Sequence, residues 1–305
     1  MNEKIFNDNI RLLNLTANFL NDPVDIKNFI KEDDEFYYKV LFATLIGVDL
    51  KIDSDKSFFY NYLAPSIKKL DVKDYIDNPY IKRIKPNNKT IGNIKLEYES
   101  YKPYEAFIYD STKIIDDKQI LSIGYFSEEF KYLTIKEDNN IWMLLTPNEI
   151  NTMAKPIANA RGKVLSFGLG LGYFQYMASL KDDVKEIIIV EKNKDIIKIF
   201  KELILNEFEY QNKITIIEDD LYHFIDNNDL NKYDDIFIDI WRDVSMGNIH
   251  YQKIRSKLNN IKCHIDYWIE DNILIYLLNE YYFRHGFSES ISLETLKNKK
   301  LALKP

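Results

Sequence analysis

Hydrophobic positions change their period twice along the chain. Phe6, Ile10, Leu13, Ala17 and Leu20 recur at helical spacing, which places all five on one face, and Asn21-Asp22-Pro23 is expected to stop that helix. A second helix is predicted from about Asp25 to Leu50, with Phe36, Val40, Ala43 and Gly47 on one side. A third, aromatic-rich helix is predicted around Ser57 to Leu70, kinked or split by Pro65. From about Lys89 the period becomes two. Ile94, Leu96 and Tyr98 alternate with polar residues. Lys113-Ile115 and Ile120-Tyr125 flank Asp116-Asp117-Lys118-Gln119, and Tyr132-Lys136 and Ile141-Leu145 flank Glu137-Asp138-Asn139-Asn140. This predicts a helical domain over 1–86 and a small antiparallel β region over 87–145.

Beyond 146 strands and helices alternate. Thr146-Pro147-Asn148-Glu149 reads as a helix start, with Thr146 as N-cap, Pro147 at the first helical position and Glu149 completing a capping box, while a functional role over the cofactor edge of the sheet is the minority reading. Strands are predicted at 163–167, 186–190, 213–217 and 235–239, and helices at 173–181, 194–207 and 221–226. Such alternation implies an α/β, Rossmann-like domain over 146–305 with a mostly parallel sheet. A helix from Asn248 to Leu258, a fifth strand from Ile261 to Tyr267 and a helix from Ile269 to Phe283 follow. Ser288 to Pro305 is short and shows no clear strand pair, which leaves the sheet open to truncation after its fifth strand.

Chemistry concentrates at the carboxyl ends of these strands, where open α/β sheets bind ligands. Gly168, Gly170 and Gly172, three of only nine glycines, end the first strand at alternate positions and lead into a helix with Tyr173, Tyr176, Met177 and Leu180 on one face. Glycine there lets a ligand lie against the main chain, and the following helix N-terminus offers N–H groups. Glu191 ends the second strand about twenty positions later, placed to accept from ribose hydroxyls. Asp219 and Asp220 follow the third strand and Asp239 ends the fourth. Tyr173 stands where a dinucleotide fingerprint needs its third glycine, which counts against NAD.

The segments FGLGLGYF (167–174), IIIVEKN (187–193), IIEDDLYHF (216–224) and DDIFIDIW (234–241), in this order and spacing, resemble the class I S-adenosylmethionine-dependent methyltransferases, and within them the spermidine-synthase-like branch. The resemblance covers roughly the C-terminal half and takes in residues 124–150, which look like that branch's β-ribbon lead-in. It implies S-adenosyl-L-methionine as cofactor, held by Gly168, Gly170, Gly172, Glu191, Asp220, Leu221 and Asp239. Asp220 would accept from the adenine amino group, Leu221 would supply a backbone N–H to the ring, and Asp239 would hold the cofactor's amino group. Asp239 and Asp243 are the candidate catalytic carboxylates, and Trp241 would shape the acceptor pocket.

Composition narrows the partners. The chain has 305 residues, 46% of them hydrophobic and 29% charged, as in an ordinary globular protein. No apolar run approaches bilayer length and the N-terminus lacks a signal-peptide core, so the cytoplasm is expected and a membrane is not. A net charge of −7 argues against nucleic acid, and the cluster Lys82-Arg83-Ile84-Lys85 reads as a solvated segment. The single cysteine, Cys263, excludes an internal disulfide. His223, His250, His264 and His285 show no metal-ligand spacing, so no metal is expected. Aromatic helix faces in 1–86 would serve a core, a groove or a homo-oligomer contact.

Three functions compete. Methyl transfer to a small or peptide-like acceptor leads, since the Asn/Asp-Pro-Pro-aromatic signature of nucleic-acid amino methylation is absent at 239–242. Aminopropyl transfer is second, because the first loop lacks the family's Gly-Gly-Asp-Gly and because Asp239 and Asp243 stand four apart with no proline following. The third is a non-catalytic cofactor-binding scaffold.

Overall fold

The computed structural model describes residues 1–298. The chain packs as two compact units, neither contiguous in sequence. The first comprises 1–72, 100–130 and 271 onward, and the second 73–99 and 131–270. This grouping cuts across the ranges 1–86, 87–145 and 146–305. Residues 73–99 pack with the parallel sheet, whereas the helix Glu270–His285, which follows its last strand, joins the first unit from Asp271 onward.

In the first unit the helix Glu3–Asn21 ends where Asp22-Pro23 predicts. Its buried face, however, is Phe6, Asn9, Leu12, Thr16 and Phe19 rather than the predicted apolar stripe. A polar residue can be buried when its bonds are made, and Asn9 meets that condition. Its Nδ2 donates to the Asp117 carbonyl at 3.0 Å, and its Oδ1 accepts from the Gln119 N–H at 2.9 Å. The predicted helix 25–50 is two elements, a single 3-10 turn Ile26–Phe29 and a helix Glu35–Leu45. Asp25 and Asp34 each cap a start. Tyr38, Phe42 and Ala43 face the core, while Phe36 is exposed. Helix also runs from Asp53 to Ser66, with a wider π-type turn over Phe59–Leu63 just before Pro65. Ile67–Lys69 then leaves it as a strand, pairing parallel with Ile123–Tyr125, which in turn pairs antiparallel with Phe107–Ile108. The expected strand 120–125 is therefore divided. The Leu121 N–H is taken by Ser66 Oγ at 3.0 Å, and Lys118–Ile120 forms a separate hairpin with Lys113–Ile115. Asp116 and Asp117, both at positive φ, make its two-residue turn.

The second unit holds the α/β core. Its parallel strands, labelled in chain order, are β1 (Gly162–Phe167), β2 (Val184–Glu191), β3 (Ile214–Glu218), β4 (Asp235–Ile238) and β5 (His264–Tyr267). They lie in the order β3-β2-β1-β4-β5 and every pair is parallel. The connecting helices are α1 (Tyr173–Ser179), α2 (Lys194–Leu203), α3 (Leu221–Asn227) and α4 (Val244–Lys257). β1 and β4 are buried along their inner residues, as central strands covered on both faces must be, and their runs are accordingly apolar. Phe174 of α1 stacks on Phe237 of β4 with ring centroids 4.1 Å apart. Among the described residues this sheet has no sixth or seventh strand. Leu293–Asn298 is helical, and the remainder of the predicted tail lies outside the described residues. A four-stranded antiparallel sheet also belongs here, built from Lys89–Ile91, Ile94–Tyr101, Phe130–Glu137 and Asn140–Leu144. Among the described residues no helix is long and apolar enough to cross a membrane.

Replacing Asn9 by Leu keeps the volume but leaves the buried Gln119 N–H without its acceptor and the Asp117 carbonyl without its donor. Chemical denaturation should show a loss of roughly 2–3 kcal/mol. An unchanged midpoint would mean that the Asn9 bonds contribute nothing.

Candidate functional site

Every residue proposed from sequence lies in the second unit, and most stand at the carboxyl edge of the parallel sheet. Gly168, Gly170 and Gly172 all have positive φ. A side chain on Gly168 would collide with the Asp239 carbonyl, one on Gly170 with the Met143 thioether, and one on Gly172 with the Phe200 ring. The glycines thus permit a tight turn between β2 and β4, with protein atoms filling the space their side chains would take. Tyr80 fixes this turn from outside. Fully buried, it donates its hydroxyl to the Leu171 carbonyl and meets Tyr173 and Tyr176 edge-on. Asn78 adds a bond to the Tyr173 hydroxyl at 2.9 Å.

The loop N–H groups are more committed than the sequence suggests. Gly168 donates to Val190 O at 3.0 Å and Gly172 to Leu169 O at 2.8 Å. Leu169 donates to Glu191 Oε2 and Leu171 to Met143 Sδ, both at 3.1 Å. Helix α1, seven residues long, follows directly.

Glu191 sits at the end of β2, half-buried, where it also accepts from the Asn193 N–H at 2.8 Å. Burial raises its pKa despite these donors. Asp239 follows β4 on the other side of the loop, its N–H bound to Phe167 O at 2.9 Å. Burial, with the Glu191 charge nearby, pushes its carboxyl up to about 8. Glu149 completes the group. It is buried, its Oε2 has no partner, and desolvation followed by the charge of Asp239 holds its pKa far above the carboxylate range. The predicted capping box does not form as such. Thr146 is the N-cap residue, but its side chain makes no cap bond, and Glu149 turns toward the acidic group. Three carboxyl groups from three elements therefore influence one another at one sheet edge.

The other candidates divide. Asp220 caps α3 through bonds to the Tyr222 and His223 N–H groups at 2.8 and 3.3 Å, and Leu221 is buried as the first residue of that helix. Asp219 binds His223 Nδ1 at 2.8 Å and raises its pKa. Asp243 caps α4, accepting from the Met246 N–H and the Ser245 hydroxyl, and these bonds hold its carboxyl below the usual range. Trp241 is buried and donates its indole N–H to the Trp268 carbonyl at 3.3 Å.

Sequence reasoning missed Met143, Tyr222, His250 and Lys253 at this edge. Met143 lies in the antiparallel sheet and reaches the glycine loop. For Glu149 the capping pattern is the leading sequence reading, and a place over the cofactor edge of the sheet is the minority one. Tyr222 shares a 2.8 Å hydrogen bond with His250 Nδ1, while Lys253 stands 4.0 Å from the Tyr222 ring centroid. Burial, then the charges of Lys192 and Lys253, lowers the His250 pKa. No sequence spacing links 222 to 250, since the contact joins α3 to α4 through tertiary packing across the intervening β4 segment.

No family model and no curated protein matches the chain. Among solved structures, a Thermotoga maritima spermidine synthase overlaps 40% of this chain and 48% of its own, at 16% identity and TM-score 0.30. A spermidine synthase in complex with the transition state analogue AdoDATO overlaps 40% and 50%, at 15% identity and TM-score 0.31. A Klebsiella pneumoniae protein assigned as an O-methyltransferase overlaps 47% and 61%, at 16% identity and TM-score 0.30. The matched region spans about half to three fifths of those chains. The Rossmann-like assignment rests on the strand order and parallel pairing described above.

Two substitutions test this geometry. Gly168→Ala should destabilise by at least ~2 kcal/mol in thermal or chemical melts, because its Cβ meets backbone at positive φ. For Asp239 the pH dependence has a definite sign. An unfolded carboxyl releases its proton near pH ~4, whereas the folded one keeps it to about 8. The folded state is therefore unpenalised at acid pH and loses stability as pH rises from about 4 through 8. Asp239→Asn should remove that loss and raise ligand-free stability by on the order of 1–3 kcal/mol at pH 8, and much less at pH 5. Equal gains at both pH values would contradict the raised pKa.

Proposed function

We propose that this chain is an S-adenosylmethionine-dependent transferase whose favoured reaction is methylation of a small or peptide-like acceptor. The observation that carries the reading is the acidic group formed by Glu191, Asp239 and the unpartnered Glu149 around a glycine turn at the carboxyl edge of an α/β sheet. Crowded buried carboxylates are unfavourable alone and become favourable beside a cation. S-adenosylmethionine meets that requirement, carrying a sulfonium and an ammonium, and supplies a methyl group on an already activated leaving group.

The chain's own residues would divide the work. The side chains missing at Gly168 and Gly170 let Asp239 and Met143 close on the turn, and displacing the flexible Met143 side chain would open the Gly170 backbone to the ligand. Glu191 already accepts from Leu169 and Asn193, and it retains lone pairs for ribose hydroxyls. Asp220 and Leu221 would face the adenine. Asp239, with a ligand-free pKa of about 8, would be held ionised beside a cationic sulfur and could accept a proton from the acceptor. Asp243 suits this less well, because its carboxylate is already bonded as a helix cap. Excluding water and aligning donor with acceptor would do the rest.

Aminopropyl transfer remains the second reading. The same acidic group would also suit a decarboxylated cofactor, whose charge is more positive.

Two measurements test these readings. Titration calorimetry in buffers of differing ionisation enthalpy should show proton release at pH 7 when S-adenosylmethionine binds. Less release is expected with neutral-sulfur S-adenosylhomocysteine, because it keeps the ammonium but lacks the sulfonium charge that further lowers the Asp239 and Glu149 pKa values. Absence of any binding would sink the cofactor assignment, and equal release would sink the role of the acidic group. Competition between intact and decarboxylated cofactor, with turnover on putrescine, separates the two reactions. Glu191→Ala should weaken either ligand by about 1–3 kcal/mol.

A further inference from the structure

At the opposite end of the same strands three potential ligands converge. Asp235 opens β4 and His264 opens β5, and the two are direct register partners, as are Phe237 and Asp266. Side chains two apart on a strand share a face, so Asp235, His264 and Asp266 all lie on one face at the amino-terminal edge of the sheet. One ligand atom from each lies within 4.8 Å of the others. His264 Nε2 is 2.9 Å from Asp266 Oδ2. The Asn159 amide touches both, at 3.2 Å from Nε2 and 3.0 Å from Oδ2.

A second, independent feature points to a ligand. Asp235 is 1% exposed, and neither of its carboxylate oxygens has a hydrogen-bond partner. A buried carboxylate without partners is costly in either protonation state, because a proton on one oxygen would leave both oxygens unbonded to protein. Neither Arg161 nor Lys181, whose charges act on Asp235 only through space, forms an ion pair with it among the described residues. The Lys181 ammonium is bound by the carbonyls of Ile157, Ala158 and Ala160. The Asn159 contact shows the same mismatch from the other side. A protonated Nε2 donating to Asp266 would face the Asn159 N–H₂, donor against donor. Rotating the amide about its axis exchanges its oxygen for that nitrogen, a choice fixed only by the surrounding partners.

We propose that Asp235, His264 and Asp266 bind a divalent transition-metal ion, with Asn159 Oδ1 or water completing the shell. One imidazole and two carboxylates suit Zn²⁺ or Mn²⁺ better than Mg²⁺, which favours all-oxygen octahedral shells. The site is structural in position. It ties β4 to β5 and to the end of the helix Ala154–Asn159. It lies at the end of the strands away from the glycine turn, and it stands or falls independently of the cofactor reading.

The test uses the full chain freed of metal by chelator. Calorimetry with Zn²⁺ and Mn²⁺ should show one saturable site per chain, with Mg²⁺ at least a hundredfold weaker, and Zn²⁺ should raise Tm. His264 is exposed, so His264→Gln should fold normally while weakening Zn²⁺ at least tenfold and abolishing the Tm rise. Asp235→Asn should do the same. His223→Gln, which alters the exposed His223–Asp219 pair, should leave binding unchanged. No one-to-one binding, or binding that survives His264→Gln, or binding lost with His223→Gln would overturn the proposal.

Discussion

The adjacency of β1 to both β2 and β4 is the constraint from which the rest of the site follows. In the order β3-β2-β1-β4-β5 the residues that end β2 and follow β4 must flank whatever follows β1. Glu191 and Asp239 are therefore held to either side of the glycine turn by strand pairing, not by attraction. Two acids so placed repel each other, and burial sharpens the repulsion. The turn is correspondingly tight. Gly168 binds Val190 O on one side and leaves no room for a side chain against Asp239 on the other. The backbone bonds of the sheet supply the stability that the acidic group withdraws.

Much of this was legible in the residues themselves. Ile187-Ile188-Ile189-Val190 and Ile236-Phe237-Ile238 are continuous apolar runs because they are buried on both faces. The alternation of such runs with helices predicted the five strands and their parallel pairing. What escaped prediction did so where one pattern has two physical meanings. Thr146-Pro147-Asn148-Glu149 satisfies the capping pattern whether Glu149 bonds its own helix or faces Asp239, and the choice is made by residues far along the chain. Asn9 looks like a surface residue until Asp117 and Gln119 supply its bonds. Tyr80 could not be assigned to the glycine turn from sequence, because its hydroxyl finds Leu171 through tertiary packing alone.

The long-range bonds also explain why contiguous sequence ranges do not match the compact units. Pattern along the chain reports local period, and both 73–86 and 57–70 have helical period with aromatic residues. Only the packing separates them. Tyr80 and Asn78 attach to the turn after β1, whereas Phe59 and Tyr62 belong to a core with Leu12, Tyr38 and Tyr125.

Unpartnered carboxyl groups occur at both ends of the parallel strands, Glu149 toward one and Asp235 at the other. They call for different ligands because their neighbours differ. Around Glu149 stand further acids with raised pKa values beside a glycine turn, an arrangement that suits an organic cation. Around Asp235 stand an imidazole and a second carboxylate, one ligand atom of each of the three lying within 4.8 Å of the others, and an amide touches both of these neighbours. Such a donor set suits a compact ion. One sheet thus offers two charge-deficient positions, and the size of the cation each can admit, not the sign of its charge, distinguishes them.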